Sequence, residues 1–147
     1  MFRIAGALAL VAASLAGAQD YSTATPIAGS WSYGPAIDGS EAVFTNRTGS
    51  PQLWVHCTRS TRRVTISRPA TAAAPFINIW TSSQTRSVAS SFNPATGRLT
   101  IDLPAYDSLL DAIVSSRGRI AFTVGTQPPL VVPPWAESAR VIEDCRV

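Results

Sequence analysis

The sequence feature that most constrains the fold is a series of short segments in which apolar and polar residues alternate. In the segment 53–58, Leu53, Val55 and Cys57 fall on one face, and the residues between them fall on the other. A period of two residues is typical of a strand with one buried face. The predicted strands are 30–33, 41–46, 53–58, 64–67, 76–82, 86–90, 99–103, 120–124 and 130–132.

Turn-forming residues separate these segments, with the clearest signals at 38–39, 48–51 and 93–97. Many short strands divided by glycine- and proline-containing turns are typical of antiparallel sandwiches and small barrels. We therefore expect a mainly β protein with a minor α component. The expected architecture is a small antiparallel β-sandwich or barrel of about nine short strands.

Two segments follow a helical period instead. Residues 107–116 place apolar side chains at helical spacing, with Asp107 as the expected N-cap residue. Residues 135–145 follow two prolines and predict a C-terminal helix. Its expected buried stripe is Trp135, Ala139, Ile142 and Cys145.

The N-terminus has the layout of a secretory signal peptide. One arginine precedes an uncharged apolar run at 4–15, and the small residues Ala16-Gly17-Ala18 follow. This run is too short to cross a bilayer as a helix, which takes about 20 residues. We expect a signal peptide at 1–18, a flexible leader at 19–29 and one disulfide-stapled β-rich domain at 30–147. No transmembrane segment is expected after cleavage.

The chain contains two cysteines, Cys57 and Cys145, which lie 88 residues apart. In an exported protein such a pair predicts a disulfide, and a metal-binding pair or a redox dithiol is the alternative. Cys57 lies on the apolar face of its strand, and Cys145 lies on the apolar stripe of the last helix. The bond would therefore pin that helix to the sheet and stabilise the fold by about 4 kcal/mol.

Every basic residue is an arginine, and the net charge is only +3. This weak charge argues against a nucleic-acid partner. A guanidinium group binds carboxylates and phosphates through a planar fork, so clustered arginines predict an anion-binding surface. The alternatives are a solvated loop, or arginines that hold Glu143 and Asp144 against the sheet. The candidate arginines are Arg59, Arg62, Arg63, Arg117 and Arg119.

Other side chains are candidates for binding or catalysis. Trp54 and Trp80 form a sugar-binding platform if both are exposed on one face; otherwise they are packing residues. His56 is the one histidine, and no Gly-x-Ser-x-Gly motif accompanies it. Asp102 and Asp111 have structural interpretations as outward-facing residues. We therefore assign no catalytic residue, no metal site and no cofactor.

The run DSLLDAIVSSRGRIAFTV from Asp107, the ending EDCR at 143–146 and the strand LWVHC at 53–57 resemble a group of exported alphaproteobacterial proteins. These proteins share a Ser-Arg-Gly-Arg step and a Glu-Asp-Cys-Arg ending. The order of strand cysteine, helix, strand and final cysteine is also similar to periplasmic domains of the invasion-associated locus B type. The resemblance implies an exported disulfide-containing domain, and it assigns no role to any residue.

These observations favour a non-enzymatic binding or interaction module in the periplasm or the medium. Its partner would be an anionic envelope component or another protein. One alternative is a small envelope hydrolase that uses His56. A third is a periplasmic inhibitor that inserts a rigid loop into the cleft of an enzyme.

Overall fold

Ten strands and two helices make up the part of the chain that a computed structural model describes, residues 19–147. The predicted signal peptide lies outside the described residues. The elements are β1 Gly29–Ala36, β2 Gly39–Asn46, β3 Pro51–Thr58, β4 Arg63–Pro69, β5 Phe76–Trp80, β6 Thr85–Ala89, β7 Ser91–Asn93, β8 Arg98–Pro104, α1 Ser108–Val114, β9 Ile120–Thr123, β10 Leu130–Val132 and α2 Ala136–Asp144.

The strands form two antiparallel sheets, which confirms the predicted mainly β class. The six-stranded sheet has the order β1-β2-β3-β4-β8-β7, and the four-stranded sheet has the order β10-β9-β5-β6. Strands β1 to β4 form a meander, and β8 then pairs with β4 so that Ile66 lies opposite Ile101. The chain leaves the second sheet after β6 and enters the first at β7, with Ser90 at the crossing.

A single large apolar cluster joins the inner faces of both sheets to the two helices. The six-stranded sheet contributes Phe44, Val55 and Ile66, and the four-stranded sheet contributes Ile79 and Phe122, all of them almost inaccessible. Burial alternates along β3 as the sequence predicts, with Leu53, Val55 and Cys57 facing inward. The alternation therefore identifies which face of each sheet is left for solvent.

Two strand predictions need correction. The strand expected over 76–82 ends at Trp80, because the Thr81 hydroxyl accepts from the Gln84 amide at 3.0 Å and the chain turns there. Such side-chain bonds compete with the sheet ladder. Strand β7 was not predicted, because three residues are too few to show alternation.

Helix α1 begins as predicted. The Asp107 carboxylate accepts from the Leu109 amide at 2.8 Å, and it also accepts from the Arg86 guanidinium at 2.7 Å. The helix packs Leu109, Leu110 and Ile113 into the core. Gly118 follows with a φ of 74°, a left-handed conformation that favours glycine.

The buried stripe of α2 differs from the prediction. Ser138, Val141 and Ile142 are buried, whereas Trp135 is 49% exposed. Trp135 is the N-cap residue rather than part of the first turn, so the stripe is rotated from the expected position. Cys145 keeps its predicted place at the buried end of the helix.

The predicted disulfide is present between Cys57 of β3 and Cys145 after α2, with the two Cα atoms 5.5 Å apart. Both cysteines are inaccessible to solvent. Gly39 packs directly on this strand, because a Cβ atom there would lie 1.9 Å from the Cys57 carbonyl oxygen. The disulfide thus holds the C-terminal helix against the six-stranded sheet beside this close contact.

The segment 19–29 is not the unpaired leader that the sequence suggests. Tyr21 is buried against the four-stranded sheet, and the Ile27 amide donates to the Val131 carbonyl at 2.9 Å. The small polar residues of this segment show no periodicity, so its attachment leaves no sequence pattern.

None of the helices within 19–147 is both long and apolar enough to cross a membrane.

Candidate functional site

Two adjoining clefts open on the outer face of the four-stranded sheet and the turns beside it. The first has a volume of about 780 Å³ and the second about 500 Å³. Trp80 and Thr85 line both, so the clefts form one continuous surface. We call this surface the Trp80 groove, and its principal residues are Asn78, Trp80, Ser82, Thr85, Ser87, Arg117, Arg119 and Thr123.

Strand register explains why polar side chains collect in the groove. Asn78 pairs with Ser87 on one side and with Thr123 on the other, which places three polar residues in one row across the sheet. The Ser87 hydroxyl donates to the Asn78 side-chain oxygen. Because neighbouring residues Ile77 and Ile79 face the core, this row must face outward.

Trp80 occupies the next outward row and divides the groove into its two clefts. It lies opposite Thr85 and the small residue Ala121, and it packs against the cluster that Tyr21 and Ala121 form. The Tyr21 ring meets it edge to face, with ring centres 6.1 Å apart. The indole is therefore held in place while it stays half-exposed between the clefts.

Hydroxyl groups fix the arginine-bearing end of the groove. The Ser82 amide donates to the Ser116 hydroxyl at 2.9 Å, and the Arg117 amide donates to the Ser82 hydroxyl at 2.8 Å. The Ser116 hydroxyl also donates to the Arg119 carbonyl at 2.6 Å. These bonds tie the β5–β6 turn to the loop between α1 and β9, so the two arginines are presented by a rigid frame.

Neither of these arginines has an acidic partner within the described residues. Arg117 is exposed, and neither it nor Arg119 forms an ion pair there. The Nε atom of Arg119 is inaccessible and has no hydrogen-bond partner in residues 19–147. Such an unsatisfied buried donor is unfavourable. Asp20 also lines this cleft, with its carboxylate accepting from Ser22.

The other predicted arginines lie elsewhere. Arg59 and Arg62 belong to the β3–β4 turn of the six-stranded sheet and Arg63 begins β4, so all three lie apart from the groove. Arg63 already has an acidic partner, because its Nε donates to the Asp102 carboxylate at 2.9 Å. The structure therefore divides the predicted arginines into two separate groups.

The prediction that Trp54 and Trp80 form a sugar-binding platform on one face is wrong. Trp54 lies on β3 of the six-stranded sheet, whereas Trp80 lies on β5 of the other sheet. The Arg98 guanidinium covers Trp54 at 3.6 Å from the ring centre, so that ring is already stacked. Strand alternation gives the face of a tryptophan within its own sheet but not which sheet a strand joins.

His56 lies on the outer face of β3, opposite in direction to Cys57, as its position in the strand predicts. Its Nδ1 atom is 3.4 Å from the Glu41 carboxylate on the adjacent strand. Within the described residues no hydroxyl group forms a hydrogen bond with it, so no activated serine is found there. Groups of three or more metal-ligating side chains are also not found within 19–147.

Asp144 of α2 forms the best-satisfied carboxylate contact with the sheet. It accepts from the Tyr33 hydroxyl at 2.5 Å and from the Ser40 hydroxyl at 2.7 Å. The hydrogen bond from Tyr33 is the main cause that lowers the pKa of Asp144, and Ser40, Arg59 and Arg140 act in the same direction while burial opposes them. The hydrogen bonds that hold Asp144 thus come from hydroxyl groups and not from the arginine forks that the sequence offered as an alternative.

We expect Asp144→Asn to lower the free energy of unfolding at pH 7 by about 1 to 2 kcal/mol, since hydrogen bonds to a charged group are lost. The pKa of Asp144 is lower in the folded than in the unfolded protein, so this stabilisation is present above its ordinary value of 3.8. It disappears as the pH falls through the lower pKa of the folded state. Urea unfolding between pH 2.5 and pH 7 checks both statements.

Glu143→Gln is the matched control, because Glu143 is exposed and adjacent, and its side chain forms no hydrogen bond or ion pair with the described residues. It removes the same charge, and we expect its unfolding curve to follow that of the parent protein. Equal losses in both variants, or a loss for Asp144→Asn that does not change with pH, would contradict the assigned contact.

Sequence reasoning identified Trp80, Arg117 and Arg119 but missed the polar row of Asn78 and Thr123. Isolated Asn, Ser and Thr residues in strands carry no motif, and the register that aligns them depends on pairing between β5, β6 and β9. No family model, curated protein or solved structure matches the chain. The interpretation of the groove therefore depends on its geometry.

Proposed function

We propose that this chain is an exported, non-enzymatic binding module that holds an acidic glycan of the cell envelope in the Trp80 groove. The observation that carries the proposal is the order of groups along the groove. A row of uncharged polar side chains is followed by a partly exposed indole and then by two arginines that form no ion pair within residues 19–147. This order matches a sugar chain that bears a carboxylate or phosphate.

Each part of the groove suits one part of such a ligand. The apolar face of a sugar ring packs on an indole, which combines a large apolar surface with a polar edge. Asn78, Ser87 and Thr123 offer donors and acceptors to sugar hydroxyls. Arg117 and Arg119 offer planar forks that fit a carboxylate or phosphate.

Rigidity supports binding by this surface. The polar row and Trp80 lie on paired strands, and the arginine loop is tied to the β5–β6 turn by hydrogen bonds through Ser82 and Ser116. A site that is formed before the ligand arrives loses little conformational entropy on binding. The function therefore needs no moving element.

Export supports the choice of an envelope ligand. The N-terminal layout is typical of a signal peptide, and the disulfide is typical of an oxidising compartment. We include in the proposal a periplasmic or secreted location and a relationship to the exported alphaproteobacterial proteins that the sequence resembles.

The proposal is tested by titrating four oligosaccharides of similar length into the protein and measuring heat of binding. Oligogalacturonate supplies carboxylates, peptidoglycan glycan strands supply lactyl carboxylates, lipopolysaccharide core supplies phosphates, and chitooligosaccharide is the neutral comparison. We expect at least one acidic ligand to bind more tightly than the neutral one, with an affinity that falls as salt rises. If no acidic ligand binds in any arm, the proposal is wrong.

Arg117→Gln is expected to weaken binding of the acidic ligand about tenfold, since one charge-assisted hydrogen bond is lost at an exposed position. Binding of the neutral oligosaccharide should change little. Arg47→Gln is the control, because Arg47 is an exposed arginine in the β2–β3 turn and lies outside the groove. Equal effects of the two substitutions would show that only overall charge matters.

A further inference from the structure

Three segments of the chain meet at one end of the six-stranded sheet. The β1–β2 turn contacts the β3–β4 turn, since the Arg59 amide donates to the Asp38 carbonyl at 2.7 Å. The β3–β4 turn contacts the segment after β8, since the Ala105 amide donates to the Arg62 carbonyl at 2.9 Å. We call this end the turn surface, and its outward residues are Ile37, Asp38, Arg59, Arg62 and Tyr106.

Two of these residues expose large apolar groups. Ile37 is 94% exposed at the tip of its turn, and Tyr106 is 66% exposed. Tyr106 is held in place, because its hydroxyl donates to the Arg146 carbonyl at 2.7 Å and the Arg146 guanidinium lies 5.2 Å from its ring centre. Ile37 is therefore almost fully open to solvent, and the Tyr106 ring is exposed at a position that its contacts with Arg146 fix.

The same surface carries positive charge that the described residues do not neutralise through ion pairs. Arg59 and Arg62 are exposed, and neither forms an ion pair within 19–147. The Asp38 carboxylate accepts from Ser60 of the neighbouring turn, and Asp144, which Arg59 influences, accepts from Tyr33 and Ser40. The two acidic groups are thus satisfied locally, and the two arginines remain available.

The backbone conformation of Arg62 also sets it apart from ordinary turn residues. Arg62 has a φ of 52°, in the left-handed region that favours glycine or asparagine. An arginine at such a position presents its guanidinium at the tip of the turn at some conformational cost. Strained residues of this kind collect where they serve a function.

We propose that the turn surface docks on the surface of an anionic phospholipid bilayer. Arg59 and Arg62 would lie at the level of the phosphates, while Ile37 and the Tyr106 ring enter the boundary between headgroups and acyl chains. Aromatic rings with a polar end favour that boundary, and arginines beside anionic lipids add attraction.

The test is sedimentation with phosphatidylcholine vesicles that contain either no phosphatidylglycerol or half phosphatidylglycerol. The protein is purified from an exporting host, and its N-terminal residue is identified by mass spectrometry so that all variants are compared in the same form. We expect weak, salt-sensitive binding to the anionic vesicles. The double variant Arg59→Gln with Arg62→Asn should lower the partition coefficient roughly 25-fold, and Ile37→Ser roughly fivefold.

Arg47→Gln is again the control, because the β2–β3 turn lies at the opposite end of the meander from the turn surface. It should reduce binding to anionic vesicles only slightly. The proposal is overturned if the protein does not bind anionic vesicles, or if the control lowers binding as much as the double variant. Unchanged binding of the Ile37→Ser variant would overturn the insertion of Ile37.

Discussion

Replacement of both cysteines by alanine is expected to lower the free energy of unfolding by about 4 kcal/mol. The bond closes a loop of 88 residues, so its loss greatly increases the freedom of the unfolded chain. It also joins β3 to the end of α2, whose contacts run to β1, β2 and β3. The loss should therefore be large for a domain of this size.

Urea unfolding at pH 7 measures this change, with the reduced parent protein as a comparison. The parent protein in reductant should lose a similar amount of stability, because it lacks the same bond. Amide hydrogen exchange should also accelerate in α2 before it does in β3 and β4, since the helix loses its covalent attachment. A change below about 1 kcal/mol would mean that packing alone fixes the helix.

Trp80→Ala is expected to lower affinity for the acidic glycan about 30-fold or more. Trp80 lines both clefts of the groove, so its loss removes the surface on which a sugar ring would pack. Central aromatic residues of binding sites commonly contribute 2 kcal/mol or more, which corresponds to this fold-change. Calorimetric titration of the same acidic oligosaccharide into each variant measures the difference.

Trp54→Ala is the matched control for this experiment. Trp54 is also a half-exposed tryptophan on the outer face of a strand, but it lies on the other sheet beneath Arg98. It should leave the affinity unchanged within about twofold. Trp80→Phe separates binding from folding, because it keeps an aromatic ring against Tyr21 and should retain part of the affinity.

The sheet faces were predictable because alternation is a local property. Leu53, Val55 and Cys57 share one face by spacing alone, and their inward direction placed the disulfide, which the pair of cysteines predicts, on the core side of the sheet. Asp107 was likewise identified as a helix N-cap, since an N-cap needs only a short polar side chain before a helical run.

The groove was only partly predictable because its parts are distant in sequence. The prediction included Trp80, Arg117 and Arg119 as separate candidates, but their meeting depends on how β5 and β9 pair. Tyr21 contacts Trp80 from a segment without any periodic pattern. Similarly, Trp54 and Trp80 have similar positions within their strands and yet belong to different sheets.

Chemical-shift mapping shows where on the protein an acidic glycan binds and therefore distinguishes the Trp80 groove from the rest of the surface. Acidic oligosaccharide is added stepwise to the ¹⁵N-labelled protein, and backbone and indole signals are followed. We predict saturable shifts of the Trp80 indole and of the amides of Asn78, Thr123 and 117–119, while the β3–β4 turn stays unchanged. Saturable shifts centred on Arg59 to Arg63, with no shift of the Trp80 indole signal, would contradict binding in the Trp80 groove.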